Sequence, residues 1–369
     1  MKKLEDYKEE IHRCSKCGLC QAVCPIYKLT GNECTVSRGL FIMLDGVIKN
    51  KFKMNKNINK YLDMCLKCGK CENFCPSEID ITNIIAAAKY KYFEHSISGK
   101  IYKILESKAV FNNFLKIAEF VSPVFGKKKK SKTFDRKVVY FGGCISKLKP
   151  DTSNYVIKLL NMMNKEAVDI DFNCCGMPFL STGNLKRFTE QLKENVLKLP
   201  DDIDCIVTDC ASCMRVWEQY IKFADDENIR EKLSHMKFKS IYELISENNI
   251  RFKAKNEIKV TYHKPCHETC DIEKIIESCE NMEYEKLQNC DTCCGFAGFE
   301  HPFAVSKIYP VMKSKRNDIK KAGSKTVLTT CAGCYAGLRV ITALTGKKIQ
   351  NLLDFLKDNC CIERGKGVN

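Results

Sequence analysis

Several things are scarce or missing in this chain of 369 residues, and each absence removes a class of protein. No run of about 18 apolar residues occurs, so nothing reads as a membrane-spanning helix. The opening MKKLEDYKEE lacks the apolar stretch of a signal peptide, which points to a cytoplasmic protein, free or at the inner face of the membrane. No G-x-G-x-x-G fingerprint is present, so a flavin or dinucleotide belongs to a partner. Negative charge is short: 61 Lys and Arg face 45 Asp and Glu, a formal +16. That balance would suit nucleic acid or an anionic membrane, yet no nucleic-acid motif accompanies it.

What the chain does have is cysteine, 25 in all. In a reducing compartment clustered cysteines are read as metal ligands before disulfides. Two runs, CSKCGLCQAVCP and CLKCGKCENFCP, share the pattern C-x-x-C-x-x-C-x-x-x-C-P. They supply Cys14, Cys17, Cys20 and Cys24 before Pro25, then Cys65, Cys68, Cys71 and Cys75 before Pro76. This is the ligand frame of a ferredoxin with two cubane [4Fe-4S] clusters, in which three close thiolates wrap one cluster and the fourth crosses to the other. Cys75 is thus expected to join Cys14, Cys17 and Cys20, and Cys24 to join Cys65, Cys68 and Cys71. Zinc is the competing metal, but zinc ribbons use two C-x-x-C knuckles and no C-P ending.

The second half repeats itself. KVVYFGGC and IKVTYHKPC each read as a short buried strand ending on a cysteine, Cys144 and Cys266. Cys174-Cys175-Gly176 and Cys293-Cys294-Gly295 follow at steps of 30 and 27 residues. CIVTDCASC and TVLTTCAGC then deliver Cys210 with Cys213 and Cys331 with Cys334 from a β-branched strand to the start of a helix. Two homologous α/β units with parallel sheets follow, and sites in such sheets form at the carboxyl ends of strands. Each unit offers five thiols where a cubane needs four. Either a cubane sits beside a spare thiol, or the cluster is rearranged so that a thiolate bridges irons. Helix amides at each C-x-x-C would offset the negative charge. Four such clusters, about 16 irons, lower the charge of the loaded protein to roughly +6, so much of the basicity is counter-charge.

The fold class expected is α+β and multidomain. Residues 1–100 form an all-helical two-cluster ferredoxin domain, with Leu40, Leu44 and Ile48 on a helix between the frames and NIIAAAKYKYFEH helical from Thr82. Residues 101–136 hold an amphipathic helix, with Phe111, Phe114, Leu115, Ala118 and Val121 on one face, and a basic linker at Lys127 to Lys130. This helix packs on its own protein or docks on a partner or an anionic membrane. Residues 137–255 and 256–369 are the two cysteine-rich units.

In these frames, and in TGNECTVSRG, YHKPCH and CCGFAG, the chain resembles the proteins in which paired cysteine-rich CCG domains are fused to a two-cluster ferredoxin. That family includes the catalytic subunits of heterodisulfide reductase, the cysteine-rich subunit of anaerobic glycerol-3-phosphate dehydrogenase, and the glycolate oxidase and lactate-utilisation iron-sulfur subunits. The resemblance covers nearly the whole chain and departs from the family pattern at Ala332 and Cys34. It implies an oxidoreductase subunit of anaerobic metabolism. Electrons from a partner flavoprotein dehydrogenase, of the glycerol 3-phosphate or 2-hydroxy acid type, would cross two cubanes to the CCG sites and leave for a quinone or another carrier. The alternative it implies is reduction of a disulfide on this chain, at a noncubane cluster.

Other residues complete the expectations. His263 and His267 flank Cys266 as candidate proton donors or structural groups, and His301 reads as a solvated loop residue. Cys34, Cys205, Cys270, Cys279, Cys290, Cys360 and Cys361 read as plain buried or free thiols, with Cys34 and Cys290 nearest to ligand loops.

Overall fold

The computed structural model describes residues 2–107, 137–143, 150–168, 170, 172–203, 205–290, 292–296 and 301–364. The amphipathic segment with Phe111, Phe114, Leu115, Ala118 and Val121, the lysines 127–130, and Cys144 lie outside the described residues. The chain divides into two compact units. One comprises Met1–Asn113, Gly176–Glu190 and Thr292–Lys315, and the other comprises Phe114–Cys175, Gln191–Asp291 and Arg316–Asn369.

The first unit is helical from residue 2 to residue 107. The stretch between the ferredoxin frames forms Ser37–Ile48 and Lys56–Met64, the inserted helix pair. Asn55 starts the second of these by accepting from the amides of Asn57 and Ile58. Leu40 and Leu44 recur one turn apart and pack with Ile58, Leu62 and Ile84 in one core, whereas Ile48 is half-buried. Ile84 comes from Ile81–Phe93, the helix expected after Thr82. Each of these helices buries one face, which is why a 106-residue stretch without a sheet can hold two cysteine loops in place.

The second unit contains two sheets with the same plan. In the first, β1 (Lys137–Phe141), β2 (Glu166–Val168), β3 (Cys205–Thr208) and β4 (Lys237–Ser240) lie in the order β2-β1-β3-β4, all parallel. In the second, β5 (Ile250–Tyr262), β6 (Glu280–Glu285), β7 (Thr326–Thr329) and β8 (Lys348–Asn351) repeat it as β6-β5-β7-β8. The central strands CIVT and TVLT are buried at every position, as strands covered on both faces must be. Val138 and Val207 of one sheet and Val260 and Leu328 of the other belong to a single hydrophobic core. The early half of β5 pairs antiparallel with β9 (Cys360–Arg364), and its later half pairs parallel with β7, while β6 pairs parallel with it from Lys253 and again from Ile258.

Two details differ from the sequence reading. The strands stop short of the cysteines: β1 ends at Phe141 and β5 at Tyr262, because Gly142-Gly143 and Pro265 break the ladder first. His301 opens the helix His301–Lys321 instead of lying on a loop. Among the described residues no helix is long and apolar enough to cross a membrane.

Candidate functional site

The cysteine loops of the first unit sit around two recesses. One, of about 380 Å³ including the solvent at its mouth, is lined by Cys14, Cys17, Cys20 and Cys75 and also by Cys71. The other, of about 440 Å³, is lined by Cys24, Cys65, Cys68 and Cys71. The backbone takes positive φ at Lys16 and Gly18 and again at Lys67 and Gly69, so both loops curl with the same hand. Such a curl turns successive N–H groups toward the concave side, a shape that receives anions, and the Lys67 amide donates to Cys65 Sγ at 3.4 Å. The C-P ending has a local reason too: Pro25 begins the helix Pro25–Thr30, where its missing N–H costs nothing. Burial pushes the Cys65 thiol up to about 11 and the Cys71 thiol well above its ordinary value. These sulfurs therefore become thiolates only against a compensating cation, and an all-sulfur donor set of this kind fits an iron-sulfur core.

In the second unit the Cys174-Cys175 turn is held by its backbone. Asn195 Nδ2 donates to the Cys174 carbonyl at 3.0 Å, and the buried Tyr220 hydroxyl donates to the Cys175 carbonyl. Asp209 fixes the neighbouring loop by accepting from Tyr140 Oη at 3.0 Å and from the Gly143 amide at 3.1 Å. Cys210 and Cys331 are the N-caps of the helices Ala211–Phe223 and Ala332–Thr342, so each C-x-x-C lies at a helix start, as expected.

The two C-x-x-C turns meet. Cys213 is hydrogen-bonded with Cys175 and Cys210, and Cys331 with Cys210 and Cys334. Five sulfurs from both halves of the repeat thus form one buried row. Hydrogen bonding with Cys175 and Cys210 pushes the Cys213 thiol well above its ordinary value, and hydrogen bonding with Cys210 and Cys334 holds Cys331 well below. Several thiolates packed this closely repel one another, so the row can be fully ionised only around bound cations. The donor set again fits iron and sulfide.

The second CCG motif has Cys331 and Cys334 in this row. Cys266 is partly buried, and Cys293 and Cys294 are buried in the first unit, in its Thr292–Lys315 segment. Gly295 there has φ +79°, and a Cβ on it would come within 2.7 Å of Met312 Cγ, so only glycine fits after the paired cysteines. His263 is fully buried, with a ring nitrogen within 4.8 Å of Cys334 Sγ. His267 Nδ1 lies 3.2 Å from the Ser212 hydroxyl, which in turn lies 3.0 Å from Cys331 Sγ.

Ser212 is a residue that the sequence reading passes over, because it occupies an interior position of a C-x-x-C in the other half of the repeat. Of the seven remaining cysteines, Cys205 is buried in β3, while Cys279 and Cys360 lie with their sulfurs 4.0 Å apart. Cys34, Cys270 and Cys290 are partly buried and Cys361 is exposed.

Comparison with known proteins agrees with this layout. A 4Fe-4S dicluster domain matches residues 10–79, and the cysteine-rich domain called CCG matches residues 138–216 and again 260–339. The chain is 21% identical to the probable glycolate oxidase iron-sulfur subunit of Bacillus subtilis (strain 168), over 90% of this chain and 89% of that protein. It is 23% identical to one subunit of the fumarate reductase (CoM/CoB) of Methanothermobacter marburgensis, over 96% of this chain and 74% of that one. A crystal structure of a hypothetical protein from Helicobacter pylori superposes with a TM-score of 0.50 at 9% identity, covering 97% of this chain and 73% of that chain, a likeness of fold alone.

Proposed function

Because the chain joins a 4Fe-4S dicluster domain to two cysteine-rich CCG domains, and so belongs with the paired-CCG iron-sulfur proteins, we propose that it is the electron-transfer subunit of an oxidoreductase complex. The partner is a flavoprotein dehydrogenase acting on glycerol 3-phosphate or a 2-hydroxy acid, in keeping with the name of the Bacillus subtilis relative. The acceptor is a quinone or another carrier. Clusters bound to this chain, two cubanes in the frames and a four-iron cluster at each CCG site, supply reversible one-electron storage.

The residues divide the work. Cys14, Cys17, Cys20 and Cys75 hold one frame site, and Cys24, Cys65, Cys68 and Cys71 hold the other, a pairing supported by the two recesses. Cys144, Cys174, Cys175, Cys210 and Cys213 hold the first CCG site, and Cys266, Cys293, Cys294, Cys331 and Cys334 the second. Tyr220 and Asn195 keep the paired cysteines of the first site oriented by gripping their carbonyls. The helix starts at Cys210 and Cys331 direct amide dipoles at the anionic sites.

The observation that carries this reading is the buried row of sulfurs from Cys175 to Cys334. Two sites that share a row of touching ligands exchange electrons readily, which a relay requires. A disulfide-reducing role is favoured by a different observation: His267 and Ser212 bring groups able to carry a proton to Cys331. The two readings separate in one experiment. Anaerobically reduced protein is offered a menaquinone analogue and a panel of disulfides while cluster absorbance is followed. Reoxidation by the quinone supports the relay, and rapid reoxidation selective for a disulfide rejects it in favour of the second reading.

A further inference from the structure

Two lysines of the first unit are buried side by side, and one of them lies inside a cysteine frame. Lys67 sits inside the second frame, between Cys65 and Cys68, and is 8% exposed; Lys89 comes from the helix Ile81–Phe93 and is 3% exposed. Both direct their ammonium groups at a single acceptor, the carbonyl of Ser181, at 2.6 and 3.1 Å. Asp63 adds a carboxylate 3.3 Å from Lys89. The carbonyl belongs to the last turn of Met177–Thr182, where backbone oxygens lack helical partners and the helix dipole favours cations. Gly183 seals the contact: its φ is +88°, and a Cβ there would approach Lys89 Cβ to 2.8 Å.

Burying an ammonium is costly before compensation, and a methionine or leucine would fill the same space. A structural role alone does not call for charge here. The first frame supplies a built-in comparison. Its equivalent residue is Lys16, with the same C-x-K-C spacing and the same left-handed backbone, but Lys16 is exposed to solvent. Water screens Lys16, whereas the charge on Lys67 acts through a low dielectric one residue from Cys68.

We propose that the buried Lys67 and Lys89 raise the reduction potential of the site held by Cys24, Cys65, Cys68 and Cys71 above that of its neighbour held by Cys14, Cys17, Cys20 and Cys75. The inference rests on the iron-sulfur reading of the frames. Adding an electron makes an already anionic site more negative, and a nearby cation that water does not screen stabilises that reduced state more than the oxidised one. The electron therefore rests at the Lys67 side of the dicluster domain, the side whose loop grips the helix that follows Cys174-Cys175-Gly176.

The test is a redox titration of the anaerobic full-length protein followed by electron paramagnetic resonance. Iron and sulfide content are measured first: a chain without clusters rejects the iron-sulfur reading itself, separately from this inference. To assign the two wild-type signals, Cys68→Ser must perturb the one that titrates at the higher potential and Cys17→Ser the one at the lower. Lys67→Gln offers Ser181 an amide donor without the charge and should lower the one-electron reduction equilibrium of the higher site about tenfold, which for one electron is 59 mV. Lys67→Arg, which keeps the charge, should restore it, and Lys16→Gln should move neither signal. A reversed order of the two wild-type sites overturns the proposal whether or not the lysine variants fold. So does an equal response to Lys16→Gln and Lys67→Gln.

Discussion

The backbone amide of Ala332 points at the sulfur of Cys210, 3.4 Å away. Across the same contact the Ala211 amide donates to the Thr330 carbonyl at 3.1 Å. Each strand-to-helix turn thus uses the helix start of one half of the repeat to satisfy an acceptor in the other. Neither turn is complete without its counterpart, so the C-x-x-C pairs of the two CCG motifs fold as one construction.

One consequence concerns Ser212. Its hydroxyl belongs to the first CCG motif but lies 3.0 Å from Cys331 of the second. Hydrogen bonds to a ligand sulfur favour the reduced, more negative state. Ser212→Ala is expected to shift the midpoint and the spectrum of the second CCG site to lower potential while leaving the iron content and the frame signals unchanged. A shift confined to the first site would be the wrong result.

Tyr220 provides a second. Its hydroxyl is buried with the Cys175 carbonyl as acceptor and lies 3.2 Å from Asn195 Nδ2. Tyr220→Phe keeps the ring against Trp217, at a centroid distance of 4.7 Å, and deletes the hydroxyl that donates to the Cys175 carbonyl and accepts from Asn195 Nδ2. The expected cost is about 1–3 kcal/mol, seen as a lower melting temperature. Iron should also leave the first CCG site faster under a chelator, with the frame sites unaffected. Equal rates of iron loss in variant and wild type would show that the turn holds without this bond.

A third follows from Glu106. Burial pushes its carboxyl up to about 7, against the hydrogen bonds from Asn184 and Thr182. When protonated it can donate to the Thr182 hydroxyl, which has the Phe179 carbonyl 3.1 Å away as its own acceptor. The folded chain binds this proton more tightly than the unfolded chain does. Its contribution is therefore full below the ordinary value of 4.5 and is lost as pH rises through about 7. Urea midpoints should fall between pH 5 and pH 8 by an amount worth about 1–3 kcal/mol, and Glu106→Gln should remove most of that fall. Identical slopes in the two proteins would rule out this carboxyl as the source.

The legible part of this protein is the part written in local spacing. The frames, the strand before each C-x-x-C and the helix after it depend on neighbours a few residues away, and they stand where the pattern puts them. The same holds for the repeat, because the order β2-β1-β3-β4 and its copy β6-β5-β7-β8 arise from the same succession of short apolar strands and helices. What the pattern hides is contact between distant residues. Lys67 meets Ser181 across 114 residues, and nothing local distinguishes its C-x-K-C from that of Lys16. Ser212 meets Cys331 across 119 residues, and Cys279 meets Cys360 across 81. A lysine reads as solvent-facing and a lone cysteine as packing until the partner that changes its meaning is in place.

The ferredoxin frames and the CCG motifs are each expected to hold two four-iron clusters, and iron can be counted. Protein purified under strict anaerobiosis should contain about 16 irons per chain with matching acid-labile sulfide. Zinc in place of iron would rule out iron-sulfur clusters altogether, and a content near 8 irons would rule them out for the CCG half.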